Sequence, residues 1–204
     1  MKNPKGSIFL KMSKLYFILA FIMKLYKFYD LRPREVEKLY ASLGGKYGYR
    51  ERLARSGTGS PRMYYIDGHP GIDELRDRAT DELRINFEEF RDGLMVGIAE
   101  RTNPYMLPLR PEEIKKIAVV KTAEALRPRS GSLFDRLVRW GLPLNLAEMF
   151  AREGEHEESR TELTLLTEQF SIHCWLPARE FKQVRAFFEK SNLKHKVEVR
   201  EAQG

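Results

Sequence analysis

The chain reads as an α+β protein. The expected architecture is an antiparallel sheet or partly open barrel closed by a C-terminal amphipathic helix, with a helical insertion and an N-terminal helical extension. Three observations predict it. Apolar runs at Gly93–Ala99, Tyr105–Leu109 and Ile114–Ala123 are separated by proline-containing turns, as in an antiparallel meander. Phe170, Ile172, Cys174 and Leu176 alternate with Ser171, His173 and Trp175, the cleanest period-two pattern in the chain. Pro177 ends that run, and Arg179–Lys190 then carries Phe181, Val184 and Phe188 on one helical face, with Phe187 flanking them.

The first 28 residues hold six lysines and no acid. The other 176 residues carry 30 basic groups against 29 acidic ones. The net charge of +7 is therefore a property of the N-terminal segment, and the body offers little phosphate-directed attraction. Leu15–Met23 is a nine-residue uncharged run, against about 20 residues for a spanning helix. At 100° per residue, Ile8, Met12, Leu15, Tyr16, Leu19, Ile22, Met23 and Tyr26 share one face. Lys11, Lys14, Lys24 and Lys27 fall opposite, beside Phe17 and Phe21. That is an imperfect basic amphipathic helix, a composition suited to an anionic membrane interface. The expected membrane contacts are Lys11, Lys14, Leu15, Leu19, Ile22, Lys24 and Lys27. A short anchor with snorkelling lysines, a signal peptide, a helix docked on the protein's own core and an extension upstream of a start at Met12 or Met23 are the competing readings.

Four regions follow from this patterning: the N-terminal helix over 1–29, a helical and loop-rich linker over 30–86, an α+β domain over 87–193 with its insertion at 132–152, and a charged tail over 194–204. In the linker, Pro33 suits a first helical turn, and Val36, Leu39 and Tyr40 form a stripe that Gly44-Gly45 ends. Tyr47–Met63 reads as a mobile basic loop. Its Arg50, Arg52, Arg55 and Arg62, with Tyr47, Tyr49, Tyr64 and Tyr65 nearby, are candidates for gripping an anionic ligand or stacking on bases. A surface helix is expected over Ile72–Asn86. In the insertion, Ser132 or Gly131 caps a helix whose stripe is Leu133, Phe134, Leu137, Val138 and Trp140. Leu146, Met149 and Phe150 continue it beyond Gly141-Leu142-Pro143. Glu162–Thr167 and Phe170–Leu176 form a hairpin, and Val197 and Val199 suggest a weak edge strand.

No catalytic residue, metal ligand or cofactor is expected. The chain's one cysteine, Cys174, lies on the inward side of its strand, and neighbouring His173 points to the opposite face. The four histidines have no metal-ligand spacing. Gly57-Thr58-Gly59 lacks the rest of a phosphate loop, and the acidic run 153–160 reads as a solvated loop.

The order of elements from Gly93 to Lys190 resembles a bacterial pleckstrin-homology-like domain. The pieces that carry the resemblance are Gly93–Ile98, Leu107–Ile114, and Leu163–Pro177 with the helix that follows. Trp175-Leu176-Pro177 before Phe181 is similar to the strand-to-helix join of some membrane-linked members. The resemblance covers about half the chain and implies a bent sheet plugged by a helix, on a scaffold for lipid head groups, peptides or proteins. The resulting expectation is a non-catalytic, membrane-proximal binding or scaffold protein in the cytoplasm, attached to the inner face of the membrane. Its expected partners are an anionic membrane surface or a protein. The alternative is a nucleic-acid-binding accessory protein using the basic N-terminus and the loop 47–62.

Overall fold

The computed structural model describes residues 25–55, 57–100, 103–122, 127–128, 131–143, 146–147, 149–150, 156–157 and 159–201. Lys11, Lys14, Leu15, Leu19, Ile22 and Lys24 lie outside them, as does the run 151–155. The strands are β1 (Tyr26–Lys27), β2 (Met63–Asp67), β3 (Arg84–Phe90), β4 (Gly93–Glu100), β5 (Asn103–Leu109), β6 (Ile114–Lys121), β7 (Arg127–Pro128), β8 (His156–Glu157), β9 (Arg160–Thr167), β10 (Ser171–Pro177) and β11 (Val197–Glu201). The α-helices are α1 (Pro33–Ala41), α2 (Tyr49–Ala54), α3 (Pro70–Arg78), α4 (Leu133–Arg139) and α5 (Phe181–Lys190). Nine strands form one open sheet in the order β1-β5-β4-β3-β2-β10-β9-β6-β11. It is antiparallel except where β11 runs parallel to β6.

A short connection sets the shape of this sheet. β5 and β6 lie six positions apart in the order, about 29 Å on a flat sheet. Residues 110–113 alone join them, and Pro111–Glu113 is a 3-10 turn. Five Cα steps reach at most about 18 Å, so the sheet curls. Leu109 and Ile114 meet in one core with Ile85, Phe87, Leu94, Val96, Leu163 and Ile172. Phe181, Val184 and Phe188 of α5 are buried in that same core. Phe181 lies 6.0 Å below the Lys121 ammonium of β6, and Phe188 packs edge-on to Phe87 of β3 at 5.7 Å. The helix thus touches both β6 and β3. Each buried phenylalanine contributes roughly 2–3 kcal/mol.

The outer face carries a second layer. Leu39 and Leu43, on and just after α1, pack with Phe90, Met95 and Met106. Pro33 opens α1 and Glu35 accepts the Arg32 N–H at 2.8 Å. Gly44 ends it at φ +75, where a Cβ would run into the Asp92 side chain and backbone.

Several expectations are corrected. Tyr26 and Lys27 belong to a strand and not to the amphipathic helix: they pair with Met106 and Tyr105 of β5. Pro104 and Pro108 flank Met106 on the same backbone edge and have no N–H, so this edge takes only a short partner. The boundary at 86/87 falls inside β3, and β2 sits centrally between β3 and β10. The region 30–86 is helical and loop-rich as expected, but it also supplies Met63–Asp67 and the start of β3 to the sheet. β6 pairs with β9 and β11 and not with β5, so the meander is β3-β4-β5. The helix expected over Ile72–Asn86 runs from Pro70 to Arg78, because Ala79 turns extended. The edge strand suggested by Val197 and Val199 is present as β11, at one end of the sheet.

His69 caps α3. Its Nδ1 accepts the Ile72 N–H at 3.3 Å, its own N–H bonds the Tyr65 hydroxyl at 2.9 Å, and Tyr65 donates to Asp73 at 3.0 Å. The imidazole is 1% exposed, edge-on to Phe170, and its Nε2 has no hydrogen-bond partner among the described residues. Burial holds its pKa below the ordinary value, against a smaller opposing pull from the backbone and Asp73. The unfolded chain protonates near pH 6.5, the folded one only at lower pH. Stability is thus full above about pH 6.5 and falls as pH drops below it, because the unfolded state binds the extra proton. Melting temperatures taken from about pH 7.5 to about pH 5 should fall in the wild type. They should fall less in His69→Asn, which keeps a capping oxygen and cannot titrate there.

Candidate functional site

The stretch expected to be a mobile loop carries a helix, α2, over Tyr49–Ala54. Glu51 accepts the Gly48 N–H at 2.7 Å and pairs with Arg91 at 2.9 Å, which starts α2. The Gly48 amide and then Arg91 hold the Glu51 carboxyl below its usual range. Beyond Gly57 the chain runs beside β3: Thr58 and Ser60 exchange backbone bonds of 2.7 Å with Glu89 and Phe87, and the Ser60 hydroxyl accepts the Phe87 N–H at 2.8 Å.

These contacts place the loop over an inward-facing acid. Ile85, Phe87 and Glu89 alternate on the inner face of β3, and Glu89 is 5% exposed. Arg55 gives one guanidinium nitrogen to both of its oxygens, at 3.0 and 3.2 Å. The Asn192 N–H donates to it at 2.8 Å and the Tyr47 hydroxyl at 3.4 Å. Asn192 also donates its side-chain amide to Tyr47 and to the Arg91 carbonyl. Arg55 lies 4.2 Å over the Tyr47 ring. Burial first, then the Glu89 charge, raises the Tyr47 phenol above its ordinary pKa.

Above this network lies a cleft of about 320 Å³ between the loop and α5. Gly57, Ser60 and Pro61 form one wall; Gln183, Phe187 and Lys190 form the other, with Arg55 and Glu89 at the floor. Across Gly57 lies a shallower hollow of about 450 Å³, lined by Tyr49, Arg52 and Leu53. Tyr49 is 71% and Leu53 64% exposed, one turn apart on α2. The Lys190 ammonium has no ion-pair partner among the described residues. The two hollows therefore form a basic and apolar surface around Gly57, with Glu89 already saturated by its own donors.

Of the four candidate arginines, Arg55 and Arg52 border these hollows, while Arg50 and Arg62 are exposed and line neither. Tyr47 and Tyr65 are buried. Tyr64 stacks on Trp175 at 4.5 Å, with Arg84 over the one ring and Arg160 over the other. Sequence reasoning missed Glu89, Asn192 and Lys190. The one available signal was an acid at an inward position of the Ile85-Phe87-Glu89 alternation.

Cys174 is fully buried, beside the Met63 sulfur at 3.6 Å, and burial raises its thiol pKa far above the ordinary value. A thiol held protonated there is no nucleophile. His173 pairs with Asp67 at 2.6 Å on the outer face. No group of three His, Cys, Asp or Glu able to hold a metal occurs among the described residues. Compared with protein-family models, with curated proteins and with solved structures, the chain gives no match.

The Arg55–Glu89 pair makes a stability prediction. Arg55→Met leaves a buried carboxylate without its cation, and should cost about 2–3 kcal/mol, the low side of a broken buried pair because Arg55 is partly exposed. Urea unfolding checks this. Glu89→Gln added to Arg55→Met should recover part of the loss, because the neutral amide removes the stranded charge while keeping oxygen and shape.

Proposed function

We propose that this protein is a non-catalytic, membrane-proximal binding or scaffold module. Its sheet and α5 are read as a pleckstrin-homology-like domain, with the helix closing a partly open barrel. The basic N-terminal segment supplies the first membrane contact, and the cleft beside α5 takes an anionic group. The observation that carries the reading is the surface around Gly57. There Arg52, Arg55 and Lys190 border exposed Tyr49 and Leu53 and half-buried Phe187, with no unpaired acid between them. Cations beside exposed apolar side chains suit an anionic interface, where phosphate meets hydrocarbon. Among the described residues no helix is long and apolar enough to cross a membrane.

A second reading, nucleic-acid binding, draws on the Arg84–Tyr64–Trp175–Arg160 row on the outer sheet face. There both stacked rings already have a guanidinium over them. A base would have to displace an arginine to stack.

Co-sedimentation of the full chain with vesicles separates the two. The protein should pellet with phosphatidylcholine vesicles containing phosphatidylglycerol, far less with phosphatidylcholine alone, and be released by high salt. Reversing Lys11, Lys14 and Lys24 to Glu should weaken binding, by about 1 kcal/mol for each lysine that reaches the surface. Failure to pellet at low salt, together with salt-sensitive binding of a single-stranded oligonucleotide, would replace this reading with the second.

A further inference from the structure

We infer that β11 is a self-association edge: it pairs antiparallel with β11 of a second copy of this chain, about a two-fold axis through Val199. Such pairing is independent of membrane contact.

The two edges of the curled sheet differ. At one, β1 is two residues long, and β5 beside it carries Pro104 and Pro108. Short strands and prolines close a sheet edge to further pairing. At the other, β11 runs for five residues in unbroken register with β6, from Val197 on Ile117 to Glu201 on Lys121. It has no proline and no bulge. Five residues is an ordinary strand length, and among the described residues no strand lies beyond it. Its outer N–H and C=O groups offer one side of a ladder.

This edge is held in place. The Lys196 ammonium bonds the Pro111 and Ile114 carbonyls just before the strand. Val197 and Val199 lie level with buried Ile117 and Val119 and pack against the core. Glu201 is on that inner side too, paired with Lys121 at 3.8 Å. Glu198 and Arg200 take the outer side. There Lys116 and Arg200 both hold the Glu198 carboxylate, and Arg200 remains 67% exposed.

Charges can close an edge by setting like against like. Here they select one partner. In an antiparallel pair, residues directly opposite share a face, so the two-fold axis must pass through a residue. An axis through Glu198 sets Glu198 against its own copy, and one through Arg200 sets Arg200 against its own copy. Only an axis through Val199 pairs all five residues. It puts each Glu198 opposite Arg200 of the second copy, and Val199 opposite Val199. Val197 then faces Glu201, whose charge Lys121 already holds. One register is favoured and both of its neighbours are penalised, as a second copy of this chain requires.

Sedimentation velocity of the full chain tests this. Loaded at up to about 1 mM, in about 0.15 M salt that screens charges beyond about 8 Å, it should show a concentration-dependent dimer. Glu198→Arg alone sets arginine against arginine at two places, and Arg200→Glu alone sets glutamate against glutamate. Each should weaken association about tenfold. Neither variant pairs well with itself, yet each complements the other, so an equimolar mixture should dimerise as the wild type does. The double swap, Glu198→Arg with Arg200→Glu in one chain, should do the same. Melting temperatures establish beforehand that each variant is folded. A wild-type chain that stays monomeric throughout overturns the inference. So does a dimer that survives both single reversals, which belongs to another surface. Loss in the single variants with no recovery on mixing overturns it as well, because the register then plays no part.

Discussion

The four-residue connection between β5 and β6 is the constraint from which the rest of the structure follows. It is too short to cross a flat sheet, so β6, β9 and β10 must face β3, β4 and β5 across an interior. Only such an interior buries Phe181, Val184 and Phe188 together. Without the curl these three side chains would have one strand surface to cover them, and α5 would lose most of its reason to form. The curl also determines where α5 ends. A helix that starts under Lys121 and passes Phe87 delivers Asn192 to the end of β3.

That arrival explains the placement of Glu89. An inward acid on a strand is costly unless its oxygens are satisfied. Here they accept from Arg55, Tyr47 and the Asn192 backbone. Such a network adds little net stability over a well-packed apolar equivalent. What it adds is registry: three segments distant in sequence meet only if α5 sits at one height on the sheet. The cleft beside Lys190 exists because α5 and the loop 57–61 are held to that common point.

Much of the local structure was legible from the residues. The alternation of 170–176, the stripe of α5, a cap at Gly131 or Ser132 and a stop at Gly44-Gly45 each depend on near neighbours, and the structure has all four, with Ser132 as the cap. Partner choice was not legible. Nothing local says that β6 turns from β5 to β9, or that Met63–Asp67 stands centrally in the sheet. Both follow from chain reach and from covering the interior. Half of the Arg55–Glu89 site was visible as an arginine-rich stretch. The other half, Glu89 and Asn192, lies 34 and 137 residues downstream of Arg55 and becomes a neighbour only through the curl. Counting apolar residues also misjudged α4. It put Leu133, Phe134 and Trp140 on one stripe, although the positions span too wide an arc for all to be buried.

The chain's two tryptophans differ in cover. Trp175 lies on the outer face of the sheet, yet Tyr64 stacks on it and Arg160 lies over its ring. With Arg84 over Tyr64, the row joins β3, β2, β10 and β9 at the level where β2 pairs with β3 through only two residues. Those rings are occupied in stiffening a thin place in the sheet. Trp140 has no ring or cation over it among the described residues, although Arg136 and Arg139 are on the same helix. The fold thus shields an outward tryptophan where the sheet needs one, and leaves the other 81% exposed.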